Sequence, residues 1–490
     1  MVEPVDIGSQ RELFVDSYLI ETMQGARLKL HEPNSAGVAL RYDRPWEDGA
    51  AFYTTVFEDG GRYRMYYRCG WPGAPTCYAE SADGVEWSKP ELGLIEIDGS
   101  KRNNAIRPGR PAFSFCAFKD SRPGIPETER YKGNARDVSR PKGGLFCYVS
   151  ANGIHWNQVG DEPVVPYSLE NHFDSQNVMF WSEVEQQYLL YCRHMEGGRR
   201  ATARYTSDDF QNWSEPTLMT YSDTGTTTPS AHLYTNQTHP YFRAPHIYVS
   251  MPARIFFADT QHISRDDDVA VAERRVVTDD LRRFYEANID SKAIIGLGDF
   301  SDSVLMVTRA GTTEYDVTFR ESFVRPGIGL SNWTTRSNYP ALGVIQTGPN
   351  EMSMYVHRNY NQQTAYLERM TLRLDGFTSL NVPYSGGEMV TKPLTFDGGR
   401  LEINYSTSAA GSIRVELQDA GGVPISGYTL DDCVEVIGDD IEYTVAWPGK
   451  IDGAAEGGPD LRPLVGVPIR LRFWMQDADV FSFRFASDKA

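Results

Sequence analysis

The stretch Cys77–Trp87, CYAESADGVEW, decides how the rest of the chain is interpreted. It alternates apolar and polar residues, turns at Asp83-Gly84, and then reaches an aromatic residue that opens another strand. Asp-Gly supplies the positive φ angles that two-residue hairpin turns require. The stretch therefore predicts a β-hairpin.

Four later segments repeat this pattern. They are CYVSANGIHW (Cys147–Trp156), ARYTSDDFQNW (Ala203–Trp213), LMVTRAGTTEY (Leu305–Tyr315) and MTLRLDGFTSL (Met370–Leu380). Most of these hairpins follow another one, such as VFEDGGRYRMYYRC (Val56–Cys69), so the repeating unit has four strands. Four-stranded units that repeat radially form a β-propeller. Five copies, with turns near residues 84, 153, 209, 311 and 376, predict five blades.

The repeat also sets the predicted domain boundaries. Residues 46–380 form the propeller, with a charged, helix-like insertion at about 258–300 that contains DDLRRFYEAN. Residues 1–45 are expected to pack strands on the propeller or to close one of its blades. Residues 381–490 have long alternating strands with Gly and Pro turns, which predicts a C-terminal β-sandwich. The predicted fold class is all-β.

Composition excludes several classes of function. The chain has 490 residues, too many for one ordinary core, and its net charge of −18 argues against nucleic acid as a partner. No run of about 18 apolar residues predicts a membrane span. The N-terminus has no basic segment followed by an apolar one, so no signal peptide is visible. A cytoplasmic protein and an exported one whose signal has been removed both fit.

The six cysteines have no CxxC spacing and form no cluster with histidines that suggests zinc, so no zinc site is predicted. Cys77 and Cys147 occupy equivalent positions in two repeats, and Cys69 and Cys192 lie in corresponding second strands. This pattern favours reduced thiols that pack in the core. No cofactor is predicted. A structural cation such as calcium could bind at Asp266–Asp268, although such a triplet is more typical of a solvated surface.

Acidic residues precede or follow the predicted inner strands. In a propeller, the links into the inner strands meet at one mouth of the central channel. Asp174 precedes the inner strand of blade three within ENHFDSQNVMFW, where Ser175, Gln176 and Asn177 crowd around it, and Asp48 precedes that of blade one. The predicted catalytic residues are Asp174, Asp302, Glu321 and Asp48. A turn cap suits Asp48 and Asp302 equally well, and an ion pair with Arg320 or Arg325 suits Glu321.

Basic, amide and aromatic side chains are predicted to bind substrate at the same mouth. They are His239, Arg243, Arg309, Arg325, Arg336, Asn338, Tyr339 and Trp71. The arginines could hold a carboxylate, sulfate or phosphate in a bidentate contact. Alternatively, at least half of them neutralise nearby carboxylates, and His239 packs within a loop.

Two segments carry a family resemblance: YRMYYRCG (Tyr63–Gly70) and TCYAESADGVEWSKPELGL (Thr76–Leu94). Together with the later echoes and the predicted sandwich, they resemble the five-bladed β-propeller glycoside hydrolases of families 32, 43, 68, 117 and 130. The resemblance implies a glycosidase that acts on a furanoside or on an anionic or otherwise unusual sugar. The Asn-Asp-Pro-Asn, Arg-Asp-Pro and Glu-Cys motifs of family 32 are absent, so no catalytic residue is carried over.

Three functions follow from these patterns. The first is a glycoside hydrolase in which Asp174 acts with Asp302 or Glu321, while Asp48 orients substrate or tunes a pKa. The second is a glycoside phosphorylase or transferase in which arginines bind phosphate. The third is a non-catalytic carbohydrate-binding propeller. Each predicts a carbohydrate partner, with neither nucleic acid nor membrane, and leaves the oligomeric state open.

Overall fold

A computed structural model describes most of the chain. It covers residues 3–70, 74–110, 113–137, 143–168, 173–258, 274–275, 279–288, 299–334, 336–447 and 460–487. The chain divides into two compact units, a larger one at Pro33–Thr371 and a smaller one formed by Met1–Glu32 and Leu372–Ala490. Regular structure is nearly all β-strand, as the sequence predicts. The α-helix among the described residues, α1 (Asp279–Asn288), coincides with the predicted helical segment of the insertion.

Five short strands open the chain: β1 (Val5–Gly8), β2 (Glu12–Leu13), β3 (Ile20–Gln24), β4 (Arg27–Leu30) and β5 (Asn34–Arg41). The prediction grouped residues 1–45 with the propeller. The structure divides them instead. Strand β5 belongs to the larger unit, whereas β1–β4 pair with strands of the smaller unit. In short, partly exposed strands the alternation of apolar and polar residues is too brief to indicate which sheet they join.

We group the sheets of the larger unit into repeat sheets 1 to 5, following the five predicted repeats; sheets 1 and 3 have the predicted four strands, and sheet 2 has five. Repeat sheet 1 comprises β6 (Phe52–Glu58), β7 (Tyr63–Arg68), β8 (Thr76–Ser81) and β9 (Ala105–Arg107). Repeat sheet 2 comprises β10 (Phe113–Lys119), β11 (Tyr131–Arg136), β12 (Gly144–Ser150), β13 (Asn157–Gln158) and β14 (Val165–Pro166). Repeat sheet 3 comprises β15 (Val178–Ser182), β16 (Gln187–Glu196), β17 (Arg199–Ser207) and β18 (Thr217–Leu218).

Repeat sheet 4 is our name for three separate small sheets, one of which is a parallel pair of two-residue strands. It comprises β19 (Thr220–Tyr221), β20 (His232–Tyr234), β21 (His239–Tyr241), β22 (Ala244–Ser250), β23 (Ala253–Ala258), β24 (Arg274–Arg275), β25 (Phe300–Ser303), β26 (Met306–Arg309) and β27 (Glu314–Tyr315). Strand β20 pairs with β23, and β21 pairs with β22. Thr235 and Gln237 adopt positive φ between β20 and β21, and Pro252, which has no N–H group, separates β22 from β23.

Repeat sheet 5 is completed by the N-terminal strand β5. Its other strands are β28 (Tyr339–Pro340), β29 (Ile345–Gln346), β30 (Glu351–Arg358) and β31 (Tyr366–Arg373). Strand β5 pairs with β31 in antiparallel register, for example Leu40 with Leu367. The first and last strands of the larger unit are therefore held together by the hydrogen bonds of this sheet.

The smaller unit is built around two long strands. Strand β35 (Arg400–Asp419) pairs along most of its length with β37 (Ile469–Ala486). A ten-stranded sheet forms from these strands, β1–β4, β32 (Thr378–Val382), β33 (Gly387–Thr391), β34 (Leu394–Phe396) and β36 (Asp439–Thr444). Phe14, Trp447, Phe473 and Phe483 are buried in its core. Alternation of apolar residues correctly indicated the two long strands.

The predicted hairpin turns use the same hydrogen bonds in three repeats. In the first, Ser81 Oγ accepts from the N–H groups of Asp83 and Gly84, and Asp83 Oδ1 accepts from Val85 and Glu86. The turns at Ser150–His155 and Ser207–Asn212 repeat this pattern. Positive φ angles occur at Gly84, Gly153, Phe210, Gly311 and Asp375, near the five predicted turns. The fifth predicted hairpin is wrong, however, because β32 after the last turn pairs with β4 and β37 of the smaller unit.

These turns also connect neighbouring repeat sheets. The Tyr66 hydroxyl of sheet 1 donates to the carbonyl oxygen of Gly153 in sheet 2 at 3.0 Å, and a Cβ at Gly153 would lie 2.7 Å from that hydroxyl. Tyr355 of sheet 5 donates in the same way to Gly84 of sheet 1. Contacts between the remaining consecutive sheets are Phe118–Phe210, Ser182–Tyr248 and Ser301–Asn338. Each sheet therefore contacts the next, and the fifth contacts the first.

A buried hydrogen-bond cluster joins all five sheets; we call it the glutamine cluster. Gln176 Nε2 donates to Thr55 Oγ1 at 2.7 Å, and Thr55 Oγ1 lies 3.6 Å from Cys116 Sγ. Gln237 Nε2 donates to Gln176 Oε1 and to the Pro340 carbonyl oxygen, both at 2.9 Å. The four side chains are at most 2% exposed. The amides beside Asp174 thus serve the core, and the interpretation that they crowd a binding site is wrong for Gln176.

The prediction of reduced thiols is wrong for one cysteine pair. Cys69 follows β7, Cys77 lies in the adjacent strand β8, and a disulfide joins them with their Cα atoms 5.9 Å apart. Cys116, Cys147, Cys192 and Cys433 are buried free thiols. The prediction compared each cysteine with the equivalent residue of another repeat. It therefore overlooked that Cys69 lies two residues after Tyr67, the residue that pairs with Cys77 on the adjacent strand.

Replacing Gln176 by Ala should destabilise the larger unit. The change leaves Gln237 Nε2 and the Thr55 hydroxyl in the core without their partner, and such a loss costs about 1–3 kcal/mol. Thermal and urea denaturation would measure it. Gln211→Ala, at an exposed turn position, is the matched control and should change stability by less than about 0.5 kcal/mol. Equal stability of the two variants would show that the glutamine cluster is not structurally important.

Candidate active site

The candidate site lies where the first strands of the repeat sheets begin; we call these positions the leading ends. Residues other than glycine with positive φ angles near these ends include Tyr53 (54°), Ser114 (57°), Phe173 (51°), Thr235 (51°), Arg336 (56°) and Asn338 (66°). Such backbone conformations are costly for residues with side chains and concentrate at functional sites. Four of them, Tyr53, Ser114, Thr235 and Asn338, each precede a residue of the glutamine cluster by two positions.

Aromatic side chains pack together at the leading ends. This aromatic floor consists of Phe52, Tyr53, Tyr234, Tyr339 and Tyr360, which are 2–7% exposed. The Phe52 ring lies 5.1 Å from that of Tyr339 and 5.2 Å from that of Tyr360, and the Tyr53 and Tyr234 hydroxyls are 2.6 Å apart. Burial raises the pKa of Tyr53 well above its usual value, and the nearby Tyr234 and Asp174 add smaller increases. Its phenol therefore stays protonated at neutral pH.

Three arginines pack on this floor; we call them the arginine cluster. Arg68 Cζ lies 4.9 Å from the centroid of the Tyr53 ring, and Arg200 Cζ lies 5.6 Å from that of Tyr234. Arg336 Cζ lies 5.8 Å from the Tyr360 ring, and its Nη1 donates to the Tyr360 hydroxyl at 3.4 Å. Cations above aromatic faces are stabilised by the ring quadrupole. Three guanidinium groups thus lie against the rings of the aromatic floor.

Asp174 is the predicted acid that the structure places beside this floor. Its side chain is 49% exposed, and its Oδ1 lies 3.7 Å from Arg136 Nη1. The backbone oxygen of Asp174 accepts hydrogen bonds from Arg193 Nη1 at 3.1 Å and from the Tyr234 hydroxyl at 3.4 Å. The backbone is therefore held in place while the carboxylate remains accessible.

Asp302 and Glu321 lie elsewhere. Asp302 is in β25, and its two oxygens accept from Arg254 Nε at 2.9 Å and Nη2 at 2.5 Å. Glu321 is exposed, and the nearby Phe323 N–H group donates to Ser303, so this segment runs along β25 rather than toward Asp174. Asp302 lies in a strand and forms a bidentate ion pair with Arg254, so the alternative prediction that it caps a turn is wrong.

Asp48 stands at the leading end of repeat sheet 1. Its carboxylate is exposed, and its Oδ1 accepts from the Ala50 N–H group at 2.7 Å. The Asp48 N–H group donates to the Cys69 carbonyl oxygen at 3.0 Å, next to the disulfide. Its neighbour Glu47 is buried and binds Tyr67 and Lys89. Of the two adjacent acids, Glu47 is structural and Asp48 remains open to solvent.

The predicted substrate-binding residues separate into two groups. Arg336 and Tyr339 belong to the candidate site. Asn338 is fully buried and donates to the Ser301 and Asn332 carbonyl oxygens, so its role is structural. Arg325 is exposed, and Arg358 Nη1 donates to its carbonyl oxygen at 3.1 Å. Trp71 lies outside the described residues.

His239, Arg243 and Arg309 lie at the other ends of the strands of repeat sheet 4. His239 lines a cavity of about 1000 Å³, and its Nδ1 contacts the Gln237 carbonyl oxygen at 2.7 Å. Burial lowers the pKa of His239 to about 4, so the imidazole is neutral at pH 7. Arg243 follows β21, and Arg309 pairs with Ile247 of the adjacent strand. The prediction that they share a mouth with Asp174 does not fit these positions.

Tyr53, Tyr234, Arg68 and Arg200 were missed by sequence reasoning. Tyr53 and Tyr234 occur within apolar strand patterns, which are typical of core residues. Arg68 is the last residue of β7 and Arg200 the second residue of β17, and both strands alternate normally. A usable signal is present nonetheless, because each of the four lies within two residues of an end of its strand.

Comparison with known proteins gives distant likenesses. No protein-family model matches the chain. The uncharacterized protein MT1551 of Mycobacterium tuberculosis (strain CDC 1551 / Oshkosh) is 30% identical over 151 residues, which is 28% of this chain. The match spans 45% of that protein, so the chain covers about half the length of this curated relative.

Solved structures of glycoside hydrolases are similar to this chain. One described as a glycoside hydrolase has a TM-score of 0.44 at 10% identity and covers 70% of this chain and 92% of its own. A family 43 arabinoxylan arabinofuranohydrolase from Bacillus subtilis has a TM-score of 0.39 at 11% identity and covers 91% and 97%. Because both TM-scores are below 0.5, we base the proposed function on the residues of this chain.

Neither a membrane-spanning helix nor a metal-binding cluster occurs among the described residues. No helix there is long and apolar enough to cross a membrane. Within the same ranges, no group of three or more His, Cys, Asp or Glu side chains could hold a metal ion. Asp266–Asp268, the candidate cation site, falls outside the described residues.

Replacing Asp302 by Asn should lower stability and leave carbohydrate cleavage unchanged. The variant loses the negative charge and one of the two oxygens that accept from Arg254, at a cost of about 1–3 kcal/mol. Thermal denaturation and glycosidase assays would measure the two effects. Glu321→Gln, whose parent side chain is exposed, is the matched control and should change neither quantity. Lost turnover with unchanged stability in Asp302→Asn would restore Asp302 to the catalytic residues.

Proposed function

We propose that the five repeat sheets are the blades of one propeller, that the smaller unit is the predicted sandwich, and that this chain cleaves glycosidic bonds at the leading ends. Contacts from each repeat sheet to the next and from the fifth to the first support the propeller. The observation that carries the function is the accessible Asp174 carboxylate at the edge of a buried aromatic floor.

Glycosidic cleavage needs a carboxyl group that exchanges a proton with the leaving oxygen. Asp174 suits this role because its carboxylate is half-exposed while its backbone is held by Arg193 and Tyr234. The aromatic floor is buried and limits the access of water from one side of Asp174. Arg136, 3.7 Å away, stabilises the carboxylate after it has given up its proton.

We assign the second carboxylate to Asp48. Both oxygens of Asp302 are bound to Arg254, whereas Asp48 is exposed at the leading end of repeat sheet 1. In this assignment Asp48 activates water or attacks the anomeric carbon while Asp174 protonates the leaving group. The separation of two carboxyl groups distinguishes the outcomes, about 5–5.5 Å for retention and about 6.5–9.5 Å for inversion.

The arginine cluster favours phosphorolysis as the second candidate. Phosphate is already an anion and needs no general base, so one carboxyl group and a cationic binding site are sufficient. A phosphate oxygen would attack the anomeric carbon as the glycosidic bond breaks, and the leaving oxygen would take its proton from Asp174. The products would be a sugar 1-phosphate and the free leaving group.

Replacing Asp174 by Asn should reduce turnover by about 100-fold to 10,000-fold, because Asn cannot transfer the proton. The test is a panel of aryl glycosides and polysaccharides, screened first with the unaltered chain. Asp208→Asn, at an exposed turn, is the matched control and should keep full activity. Retained turnover in a folded Asp174→Asn variant would exclude this acid, and inactivity of the unaltered chain across the panel would contradict the proposed function.

The presence of phosphate separates the two candidate reactions. A hydrolase should release reducing sugar at the same rate with or without phosphate. A phosphorylase should require phosphate and yield a sugar 1-phosphate, which chromatography or phosphorus NMR would detect. The sequential addition and removal of phosphate with one substrate provides the control.

A further inference from the structure

Two cavities share part of their lining in repeat sheet 4. The first has a volume of about 230 Å³ and the second of about 250 Å³, and Arg254 and Phe256 line both. These two residues are two positions apart in β23, so their side chains lie on the same face of that strand. Asp174 and Asp48 line neither cavity. The two cavities are therefore neighbours, and they are separate from the residues assigned to cleavage.

Asp223 lines the first cavity with a buried carboxylate that accepts no hydrogen bond. Its side chain is 3% exposed, and neither Oδ1 nor Oδ2 has a hydrogen-bond partner in the described part of the chain. Arg320 Nη2 lies 3.7 Å from Oδ2, too far for a hydrogen bond, and donates instead to the Asp223 carbonyl oxygen at 3.1 Å. Buried polar groups nearly always have a partner in the protein or in ordered water. Asp223 therefore offers two oxygens to a molecule that enters the cavity.

The charges that line the two cavities balance one another. Among the described residues they are Asp223, Asp302, Arg254 and Arg320, two carboxylates and two guanidinium groups. Arg254 binds both oxygens of Asp302, and its Nη1 donates to the Arg320 carbonyl oxygen at 2.7 Å. A charged ligand would upset this balance, at a cost in free energy. A neutral ligand with hydroxyl groups can donate to Asp223 and leave the balance unchanged.

Aromatic rings form much of the second cavity. The ring centroids of Phe256 and Phe300 lie 6.0 Å apart, and those of Phe300 and Trp333 lie 6.1 Å apart. Trp333 is 36% exposed, and its Nε1 donates to the Gly327 carbonyl oxygen at 3.3 Å, so the ring is held in place and can be reached from outside. A mainly apolar lining with a few polar groups is typical of sites for small ligands.

We propose that the two cavities bind a neutral oligosaccharide, with one sugar residue in each. A sugar residue carries hydroxyl groups at its edge and C–H groups on its faces. The hydroxyl groups donate to Asp223 in the first cavity, and the C–H groups of the next residue pack on Phe300 and Trp333 in the second. Two cavities of similar volume suit a ligand whose units repeat.

Binding at Asp223 requires a movement of Arg320. The Asp223 oxygens are closed to solvent, and the Arg320 guanidinium is the cation beside them. The Arg320 side chain is 65% exposed, so little packing opposes its rotation away from the cavity. The site goes beyond the proposed function, because it holds carbohydrate without cleaving it and does not depend on Asp174.

Calorimetric titration of the full chain carrying Asp174→Asn measures binding without turnover. The ligands are neutral gluco-, xylo-, arabino- and manno-oligosaccharides together with their monosaccharides. Glucosamine and glucuronic acid are compared with glucose as charged ligands. At least one oligosaccharide should bind about tenfold or more tightly than its monosaccharide, because a second sugar residue fills the second cavity. Neither charged sugar should bind more tightly than glucose.

Variants in the same chain assign this binding to the two cavities. Asp223→Ala and Trp333→Ala should weaken oligosaccharide binding by about tenfold to a hundredfold. Asp223→Asn, which keeps one acceptor oxygen, and Trp333→Phe, which keeps a ring, should fall between. The matched controls are Asp208→Asn, at an exposed turn, and Phe242→Ala, an exposed ring in the cavity beside His239; both should leave affinity unchanged. Binding at the leading ends would appear as a separate event that none of these variants alters.

Several results would overturn the proposal: no binding of any oligosaccharide in the panel, unchanged affinity in the Asp223 and Trp333 variants, equal losses in the control variants, or a preference for a charged sugar. Thermal denaturation identifies losses that come from unfolding. Asp223→Ala should not lower stability, because the carboxylate that it removes accepts no hydrogen bond. Oligosaccharide binding by a chain that cleaves no glycoside would refute the proposed function and leave this site standing. Cleavage with unchanged binding in the Asp223 and Trp333 variants would do the reverse.

Discussion

Two buried glutamines hold the larger unit together at one point. Gln176 and Gln237 bond to each other, and their remaining hydrogen bonds reach Thr55 and Pro340, while Thr55 contacts Cys116. Every repeat sheet supplies one partner. Unsatisfied buried amides cost free energy, so the hydrogen bonds of the glutamine cluster favour one relative position of the first strands. The contacts between consecutive sheets depend on that common register.

The cluster also determines which predicted residues can meet. Asp174 precedes Gln176 by two residues, so it emerges at the leading ends. His239 follows Gln237 by two residues, so it emerges beyond the cluster, beside the cavity of about 1000 Å³. Both residues lie beside a predicted inner strand, so the sequence alone does not distinguish their positions. Their opposite positions relative to a glutamine explain why the structure brings only Asp174 to the arginine cluster.

The sequence predicted the features that depend on local chemistry. Ser-x-Asp/Asn turns, alternating strands and the helix at Asp279–Asn288 follow from neighbours in the chain, and the structure contains them. Features that depend on distant segments were missed. The pairing of Cys69 with Cys77, the position of β1–β4 and the meeting of Arg68, Arg200 and Arg336 require the register of several sheets. The positive φ angles at Tyr53 and Arg336 could not be predicted from the sequence, since neither residue is glycine.

The central claim is that carbohydrate is cleaved at the leading ends by Asp174. A crystal structure of the Asp174→Asn variant with an uncleaved oligosaccharide tests it most directly. The measured quantity is the distance from the residue 174 side chain to the glycosidic oxygen. We expect about 2.6–3.2 Å, with the sugar bound at the leading ends beside Asp174. A sugar bound in the cavity beside His239, with nothing at the leading ends, would contradict it.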